Sequence, residues 1–470
     1  MAAQFLAFDL GAESGRAMLA TLEGGELRLA ELHRFPNQPI EEHGSLRWNI
    51  RALWDEMRHA LALAPEGLRG IGVDTWGVDF ALVGADGALL ENPYHYRDRR
   101  TQGAMPRVFE KLSRERIYSI TGIQFLPINT LYQLFCCDPA RVESAERLLM
   151  IPDLLNYWLT GNFCSEYSIA STTQLLEAAA RDWSEEMIAA LAFPRRLFQP
   201  IVRPGTEIGR FGGAPVIAPA CHDTASAVAA IAMSAGTAFL SSGTWSLIGA
   251  EVREPMITPR ARDLNFTNEG GVCGTIRLLK NVAGMWLLQS CRRCWPEISS
   301  YDDLLGAATR EAPFRSLIEP DDSAFLNPEN MPQAIVRYCA RTGQPAPQSP
   351  AAFTRAILES LALKYRLILE GLEQISGRRF TQIRVVGGGS RNRLLNQFTA
   401  DATGRAVIAG PVEATALGNV AMQMLGTGAA SSLEEARAIV ARSFPTERFE
   451  PRDADRWEEP FRRFCQLPAP

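Results

Sequence analysis

Each half of this 470-residue chain opens on the same succession: a short apolar strand, a turn of small and polar residues, and a returning strand. In the first half, residues 5–8 form the predicted strand, which ends at Asp9, and the turn Gly-Ala-Glu-Ser-Gly follows at 11–15. In the second half, a strand over 237–241 precedes the turn Ser-Gly-Thr at 242–244, and residues 245–251 return. Because helices are predicted between such strands, the default class is α/β.

The remaining periodicity supports this class. Asn49 is predicted to cap a helix over 50–64, and a strand over 71–73 ends at Asp74. Hairpin turns are expected at 24–25 and 86–87. A long helix over 349–375, a strand over 383–386 and a helix over 392–403 follow. The length allows about three domains or two large ones, and the predicted boundary lies at 234–236, between domains 1–235 and 236–470.

Composition excludes several classes of protein. Hydrophobic residues are 46% and charged residues 21% of the chain, so wholesale disorder is excluded. A formal net charge of −5 argues against a nucleic-acid partner. No apolar run reaches the roughly 18 residues of a membrane span, and the first residues do not resemble a signal peptide, so we expect no membrane partner and a cytoplasmic location.

The absence of several motifs and the spacing of the cysteines exclude further classes of enzyme and metal site. The sequence has no Gly-x-x-x-x-Gly-Lys-Ser/Thr loop, no Gly-x-Ser-x-Gly elbow and no His-Glu-x-x-His. Nine cysteines do not suggest a disulfide scaffold, and Cys291 and Cys294 are predicted to be helix residues rather than a zinc or redox pair. With only three lysines, Lys111, Lys280 and Lys364, any step that needs a lysine must use one of them.

Three glycine-containing turns could approach phosphate groups. Residues 9–16 offer backbone N–H groups, a serine hydroxyl and an aspartate at a strand end that could hold a hydrated magnesium ion. The turn at 241–245 could clamp a polyphosphate from the other half, and Gly387–Gly389 lie between a strand and a helix. An ordinary hairpin is the simpler interpretation of each of the first two turns, close packing also explains the third, and Glu13 counts against phosphate in the first.

Residues 221–224, Cys-His-Asp-Thr, precede an alanine-rich helix. Asp223 or Thr224 would be a good N-cap, which is the simpler interpretation. The alternative makes Asp223 a general base that faces a hydroxyl. Residues 72–80 and 94–99 combine carboxylates, Trp76, Arg97 and the amide-exposing Gly77, a set that suits a polyol but also fits strand ends and a salt-bridged loop.

Taken together, these segments resemble the FGGY carbohydrate kinases, and the resemblance spans about residues 4–425. The motifs that carry it occur in the family's order: DLGAESGR, GVDTWGVDF, YRDRR, GIQFLPINTLYQL, HDTASAV, FLSSGTWSL, NEGG, VVGGG and IAGPVEATALGN. The resemblance implies two actin-like (ribonuclease H-like) domains, each with a mixed five-stranded sheet flanked by helices, and a cleft between them. It also implies ATP with Mg²⁺ and transfer of the γ-phosphoryl group to the C1 hydroxyl of a ketose, L-rhamnulose, with L-fuculose, xylulose or another polyol as alternatives.

The resemblance also implies roles for individual residues. Asp223 corresponds to the catalytic base, and Asp9 to a metal-associated aspartate that acts through water. The sugar contacts that it implies are Gly77, His222, Asp223, Thr224 and Asn281. The ATP contacts that it implies are Ala12, Glu13, Ser14, Gly15, Arg16, Thr244, Gln289 and Gly388. A monomer or small homo-oligomer is expected.

Overall fold

The computed structural model describes residues 2–298 and 300–468. The chain forms two compact units. Unit 1 comprises Met1–Ala232, Glu251–Leu278 and Ala414–Phe444, and unit 2 comprises Met233–Ala250, Leu279–Glu413 and Pro445–Pro470. Along the chain, unit 1 first ends at Ala232 and unit 2 begins at Met233. Two later segments, Glu251–Leu278 and Ala414–Phe444, belong to unit 1 again. The family-domain division at 235/236 stays a prediction.

The strands are β1 (Ala3–Leu10), β2 (Ser14–Glu23), β3 (Glu26–Pro36), β4 (Pro39–Glu42), β5 (Ser45–Trp48), β6 (Gly70–Thr75), β7 (Phe80–Val83), β8 (Arg147–Met150), β9 (Ser165–Glu166), β10 (Leu176–Glu177), β11 (Asp182–Trp183), β12 (Ile201–Val202), β13 (Thr206–Phe211), β14 (Ala214–Ala218), β15 (Thr237–Ser242), β16 (Trp245–Val252), β17 (Thr267–Gly270), β18 (Ile276–Ala283), β19 (Gln382–Val386), β20 (Ala406–Ala409) and β21 (Glu447–Phe449).

The α-helices are α1 (Ile50–Leu63), α2 (Ala104–Phe109), α3 (Arg114–Thr121), α4 (Thr130–Phe135), α5 (Pro139–Ser144), α6 (Ile151–Thr160), α7 (Tyr167–Ala170), α8 (Glu185–Ala190), α9 (Asp223–Ala229), α10 (Pro259–Asp263), α11 (Trp286–Arg293), α12 (Tyr301–Ala308), α13 (Met331–Arg341), α14 (Pro350–Ser376), α15 (Arg393–Thr403), α16 (Ala414–Gly426), α17 (Leu433–Ser443) and α18 (Glu458–Phe464). Short 3-10 helices lie at Arg99–Thr101, Ser171–Thr173, Arg195–Leu197, Ser323–Phe325, Gly388–Arg391 and Ala454–Trp457.

The first sheet has six strands in the order β13-β14-β6-β1-β2-β3. Strand β1 pairs antiparallel with β2 and parallel with β6, so the sheet is mixed, as predicted. Its central strand is apolar and buried from Phe5 to Phe8, and the strand continues past Asp9 to Leu10. Helix α16 packs on β1 and β6 and covers them. The ends of β1 and β6 therefore lie side by side in a buried part of unit 1.

The second sheet has seven strands in the order β17-β18-β16-β15-β19-β20-β21. Strand β15 pairs antiparallel with β16 and parallel with β19, the same arrangement that β1 makes with β2 and β6. The predicted repetition of strand, turn and returning strand is therefore confirmed.

The predicted count of five strands per sheet is wrong, because the sheets have six and seven. In the first sheet the hairpin of β13 and β14 contributes an edge strand. Its turn is made by Gly212 and Gly213, both with positive φ, which lets the chain fold back at once. The other expected elements form within a few residues of their predicted bounds.

The local predictions are confirmed in detail. Asn49 caps α1, and its side chain accepts from the Ala52 N–H. Gly24 and Gly25 have positive φ and join β2 to β3. Cys291 lies in α11 and Cys294 ends it, and both are free thiols. Within the described ranges, the structure has no helix whose length and apolar character would carry it across a bilayer.

Candidate active site

Two aspartates meet where β1 and β6 run side by side in unit 1. Asp9 and Asp74 are register partners in the parallel pair, and both are almost fully buried. The next residue, Thr75, forms a parallel bridge with His222, which immediately precedes α9. Three chain segments far apart in sequence therefore converge at one edge of the first sheet.

Asp9 is held by a cation from the neighbouring strand. Arg16 lies opposite Asp9 in the β1–β2 register, and its guanidinium forms an ion pair with the Asp9 carboxylate. The two residues were predicted as a metal-associated aspartate and an ATP contact, and the structure places them in direct contact.

Asp74 is the more deeply buried of the two carboxylates. Burial, and then the charge of Asp9, raises the pKa of Asp74 well above its usual value. The Asn419 amide donates to Asp74 Oδ2 at 2.6 Å. Asp74 Oδ1 is buried and has no hydrogen-bond partner among the described residues. From the sequence, Asp74 is included only among the carboxylates of residues 72–80 and is given no role of its own, although its position at the end of an apolar strand, like that of Asp9, was a usable signal.

The turn after β1 is closed by Asn37. The Gly11 N–H donates to the Ser14 carbonyl, while Asn37 donates its backbone N–H to Glu13 and its side-chain amide to Gly11. Of the five predicted ATP contacts here, Ala12 and Glu13 form the turn. The other three, Ser14, Gly15 and Arg16, are the first residues of β2.

Gly15 is required by packing. A Cβ atom at this position would stand 2.2 Å from the Phe35 ring. The glycine therefore lets β2 and β3 approach, so close packing explains it without a ligand.

Helix α9 begins at Asp223, and His222 occupies the N-cap position without a side-chain cap bond. The prediction that Asp223 or Thr224 is the N-cap is therefore wrong by one or two positions. Asp223 Oδ1 accepts from both the backbone N–H and the hydroxyl of Thr224. The Asp223 side chain is 31% exposed, so its carboxylate is oriented from one side and still accessible.

His222 lies between Asp223 and a buried ion pair. Its Nε2 atom is 3.5 Å from Asp223 Oδ1, and its Nδ1 atom is 3.1 Å from an Arg277 nitrogen. Gly77 is next to the same ring, since a Cβ atom there would be 3.3 Å from Nε2. Four of the predicted sugar contacts, Gly77, His222, Asp223 and Thr224, are thus brought together in unit 1.

A buried glutamate fixes the backbone before α9. Glu166 accepts from the Cys221 N–H at 3.0 Å and from the Ser168 hydroxyl at 2.6 Å. Ser168 Oγ in turn accepts from the His222 N–H at 3.2 Å. Sequence reasoning missed Glu166 because nothing in its segment forms a motif.

Some of the aromatic and charged residues of segments 72–80 and 94–99 stabilise packing. Asp79 is fully buried and accepts from the indole N–H of Trp48 at 2.6 Å and of Trp76 at 2.9 Å. The Trp48 and Trp76 rings are in contact, with centroids 4.2 Å apart. Arg97 lies over the Tyr96 ring at 5.3 Å. Trp76 and Asp79 therefore stabilise the packing of this segment, and the structure gives no reason to assign them to a polyol site.

Within unit 2, the turn at 243–244 faces two other backbone segments. The Met285 N–H donates to the Gly243 carbonyl, and the Trp286 N–H donates to the Thr244 carbonyl. Gly389 packs against Ser242 so closely that a Cβ atom would lie 2.0 Å from its hydroxyl oxygen. Thr244 therefore lies beside the start of α11.

The other predicted ATP contacts are close to the same turn along the chain. Gln289 lies in the first turns of α11, where its N–H donates to the Met285 carbonyl, and its Oε1 atom is buried without a partner in the described part of the chain. Gly388 begins the 3-10 helix after β19, and the space where its Cβ would stand is open.

Asn281 lies on β18 and directly follows Lys280, which is close to a cluster of charges. Lys364 donates to Glu319 at 2.5 Å and lies 3.1 Å from Asp321. Burial, and then the charge of Lys364, lowers the pKa of Lys280 to about 8. Lys364 is therefore held in the interior of unit 2, while Lys280 is half-buried.

No cluster of three or more His, Cys, Asp or Glu side chains suited to a metal ion occurs among residues 2–298 and 300–468. Asp9 and Asp74 supply two carboxylates only. Mg²⁺ is commonly held by one or two carboxylates together with water and substrate phosphates, so this donor set fits that ion when a nucleotide supplies the rest.

Matches to family domains and to full-length relatives indicate the same family. Residues 4–214 match the N-terminal domain of the FGGY family of carbohydrate kinases, and residues 238–427 match its C-terminal domain. A rhamnulokinase of Bacteroides thetaiotaomicron is 47% identical, with 99% of each chain covered. A rhamnulokinase of Pectobacterium atrosepticum is 44% identical, with 99% of this chain and 96% of the relative covered.

Solved structures agree on the fold. A xylulose kinase of Lactobacillus acidophilus superposes with a TM-score of 0.81 at 16% identity, covering 99% of this chain and 97% of the other. A glycerol kinase of Plasmodium falciparum, solved with ADP, superposes with a TM-score of 0.78 at 15% identity, covering 98% and 97%. From the family matches and the full-length relatives, the chain belongs to the FGGY family of carbohydrate kinases.

Proposed function

We propose that this protein transfers the γ-phosphoryl group of ATP to the C1 hydroxyl of L-rhamnulose and so forms L-rhamnulose 1-phosphate. As a member of its family the chain is an ATP-dependent sugar kinase. The observation that carries the choice of sugar is the 47% identity to a rhamnulokinase over 99% of both chains. We place the reaction in the cytoplasm, by a monomer or small homo-oligomer, as one step in the use of L-rhamnose.

Asp223 is proposed as the general base. Its carboxylate is held by Thr224 on one side and remains 31% exposed on the other, so a hydroxyl can reach it. As the C1 oxygen attacks the γ-phosphorus, this carboxylate orients the hydroxyl and takes its proton, and ADP leaves. Phosphoryl transfer asks mainly for such positioning and for neutralisation of charge.

The sugar is proposed to contact Gly77, His222, Thr224 and Asn281. Gly77 leaves space beside the His222 ring that any other side chain would fill. Hydroxyl groups of a ketose suit this mixture of carboxylate, imidazole and hydroxyl partners.

Nucleotide contacts are proposed within each unit separately. In unit 1 the proposed contacts are residues 12–16, with the Ser14 hydroxyl and the Arg16 guanidinium as side-chain donors. Thr244, Gln289 and Gly388 of unit 2 provide the second set. The buried Gln289 Oε1, which has no partner in the described structure, can accept from a nucleotide amino group or hydroxyl.

Asp9 and Asp74 would hold Mg²⁺, Asp9 through water. Bound there, the ion would offset the charge of the terminal phosphates. Asp74 Oδ1, buried without a partner among the described residues, is the observation that favours a cation beside it.

The substrate is tested with purified protein, ATP, Mg²⁺ and a panel of L-rhamnulose, L-fuculose, xylulose and glycerol. ADP formation is followed in a coupled assay, and the product is identified by mass and NMR. We expect the highest kcat/KM with L-rhamnulose and phosphate on C1. Faster turnover of another ketose would replace the proposed substrate, and sugar-independent ATP hydrolysis alone would contradict the kinase reaction.

The base is tested with Asp223→Asn. We expect a folded protein whose kcat falls by about 10²- to 10⁴-fold while sugar binding is largely kept, because the amide cannot accept the proton. Steady-state kinetics and calorimetric binding measure the two effects. The matched control is Asp263→Asn, an exposed residue of unit 1, which should turn over normally. Near-normal turnover of Asp223→Asn would remove Asp223 from this role.

A further inference from the structure

Arg277 is a completely buried arginine of β18 that none of the proposed roles uses. Burial lowers the pKa of its guanidinium, and the nearby carboxylates of Glu269 and Asp223 oppose that effect. A charge in such a position persists only when its surroundings satisfy it. The contacts of the Arg277 guanidinium therefore indicate its structural role.

The guanidinium connects a backbone carbonyl, a carboxylate and an imidazole. Its Nε donates to the Gly270 carbonyl at 2.9 Å. One terminal nitrogen lies 3.2 Å from Glu269 Oε2 and 3.1 Å from His222 Nδ1. All of these residues belong to unit 1.

These contacts determine where the imidazole carries its hydrogen. An arginine side chain has only donors, so the ring nitrogen that faces it must be an acceptor. A neutral His222 then carries its hydrogen on Nε2. Glu269 Oε2 is also near Nδ1, at 3.4 Å, but this contact is longer than the 3.1 Å from Arg277, which can only donate.

The Nε2 edge of the ring is the one that faces the proposed sugar contacts. Nε2 is 3.5 Å from Asp223 Oδ1, which is beyond the usual range of an N–H···O hydrogen bond. The same nitrogen faces the space that Gly77 leaves by having no side chain. An N–H here points to an oxygen placed next to the Asp223 carboxylate.

We propose that Arg277 is a positioning residue that holds His222 as the Nε2–H tautomer, so that the imidazole donates a hydrogen bond to a sugar oxygen beside Asp223. The role of the hydrogen bond rests on the proposed function. The tautomer itself does not, because it follows from contacts within unit 1 and can be measured without substrate.

The first test is ¹⁵N NMR of the imidazoles in the full-length wild-type protein labelled with [¹⁵N]histidine. The chain has only five histidines, so His222→Asn identifies the signal. We expect an unprotonated Nδ1 and a protonated Nε2 for His222 without ligand. A Nδ1–H tautomer, or an imidazolium at neutral pH, would overturn the proposal, and this result needs no Arg277 variant to fold.

The second test separates Arg277 from its ion pair. Arg277→Met is made together with Glu269→Gln, so that no unpaired carboxylate stays buried, and is compared with Glu269→Gln alone. Relative to that single variant, we expect mixed His222 tautomers and a KM for L-rhamnulose about tenfold higher, with the KM for ATP within about twofold. Arg58→Met, which removes an exposed arginine of α1 in unit 1, should leave the His222 signal unchanged.

The outcomes distinguish the two proposals. If wild type does not phosphorylate L-rhamnulose, the proposed function fails whatever the tautomer is. If wild type does, and the folded double variant keeps both its His222 signal and its sugar KM, the role of Arg277 fails alone.

Discussion

At the scale of single residues, neighbours decide what a buried carboxylate does. Asp79 accepts from Trp48, Trp76, Gln133 and the Tyr96 N–H, so both of its oxygens are satisfied by fixed donors. Such a group organises packing and has no capacity left for a ligand.

Asp74 is equally buried but stands beside another carboxylate. It has one described donor, from Asn419. The sequence places both aspartates in one nine-residue motif, and only their hydrogen-bond partners assign them to different roles.

We predict that Asp79→Asn lowers the free energy of unfolding at pH 7 by about 1–3 kcal/mol, because the amide NH₂ would face a donor that now has an acceptor. Urea unfolding measures the change. Asp55→Asn, an exposed aspartate of α1, is the control and should change stability by under about 0.5 kcal/mol. Equal stability of both variants would contradict the structural role of Asp79.

The same residue predicts a pH dependence. Burial raises the pKa of Asp79 from 3.8 to about 6. Between these values the folded protein keeps the proton that the unfolded chain has lost, so the free energy of unfolding falls as pH rises through this window, by up to about 3 kcal/mol. The stability of wild type minus that of Asp79→Asn should therefore decrease from pH 4 to pH 6 and then level off. A difference that grows with pH would show that the pKa shift has the opposite sign.

At the scale of elements, α9 depends on close contact with α16. A Cβ atom at Gly418 of α16 would be 1.7 Å from the Ser226 carbonyl oxygen of α9 and 3.2 Å from the Ala230 nitrogen. The two helices approach at a glycine because no larger residue allows that distance. Since α9 begins with Asp223, this contact sets the position of the proposed base.

We predict that Gly418→Ala destabilises the protein by about 1–3 kcal/mol or more and lowers kcat, because α9 must move. Thermal unfolding and steady-state kinetics measure the two effects. The control is Gly306→Ala in α12, where nothing lies within 4 Å of the added Cβ, and it should be neutral or stabilising by up to about 1 kcal/mol. If both substitutions behaved alike, the close helix contact would not matter.

At the scale of the whole molecule, unit 1 is assembled from segments distant in sequence. Helix α16, which comes after residue 413, covers β1 and β6. Gln423 donates to the Leu6 carbonyl at 3.0 Å, and Asn419 donates to Asp74. A chain that ends at residue 235 lacks these contacts and exposes the apolar face of the first sheet.

We therefore predict that the fragment 1–235 does not fold cooperatively by itself, since α16 and α17 are missing. Its thermal unfolding, followed by circular dichroism, should have no sigmoidal transition. Co-expression with the fragment 236–470 is the control and should restore a complex with a transition. A cooperative transition of the isolated fragment would show that the late segments are dispensable.

The sequence by itself determined the local structure and the family. The capped helix α1, the glycine hairpin at 24–25, the two corresponding strand–turn–strand units and the order of the motifs depend on neighbours a few residues apart, where propensity and hydrophobic period act. The site roles that the resemblance implies stay predictions, including those of Asp223 and Asn281.

Only the tertiary structure decided which residues form hydrogen bonds with the side chains of the candidate site. Asn419 meets Asp74 across 345 residues, and Arg277 meets His222 across 55. It also decided that the sheets have six and seven strands and that α9 begins at Asp223 instead of being capped by it. Such pairings follow from how the complete chain packs, because no short stretch of sequence contains both members of a contact between distant segments.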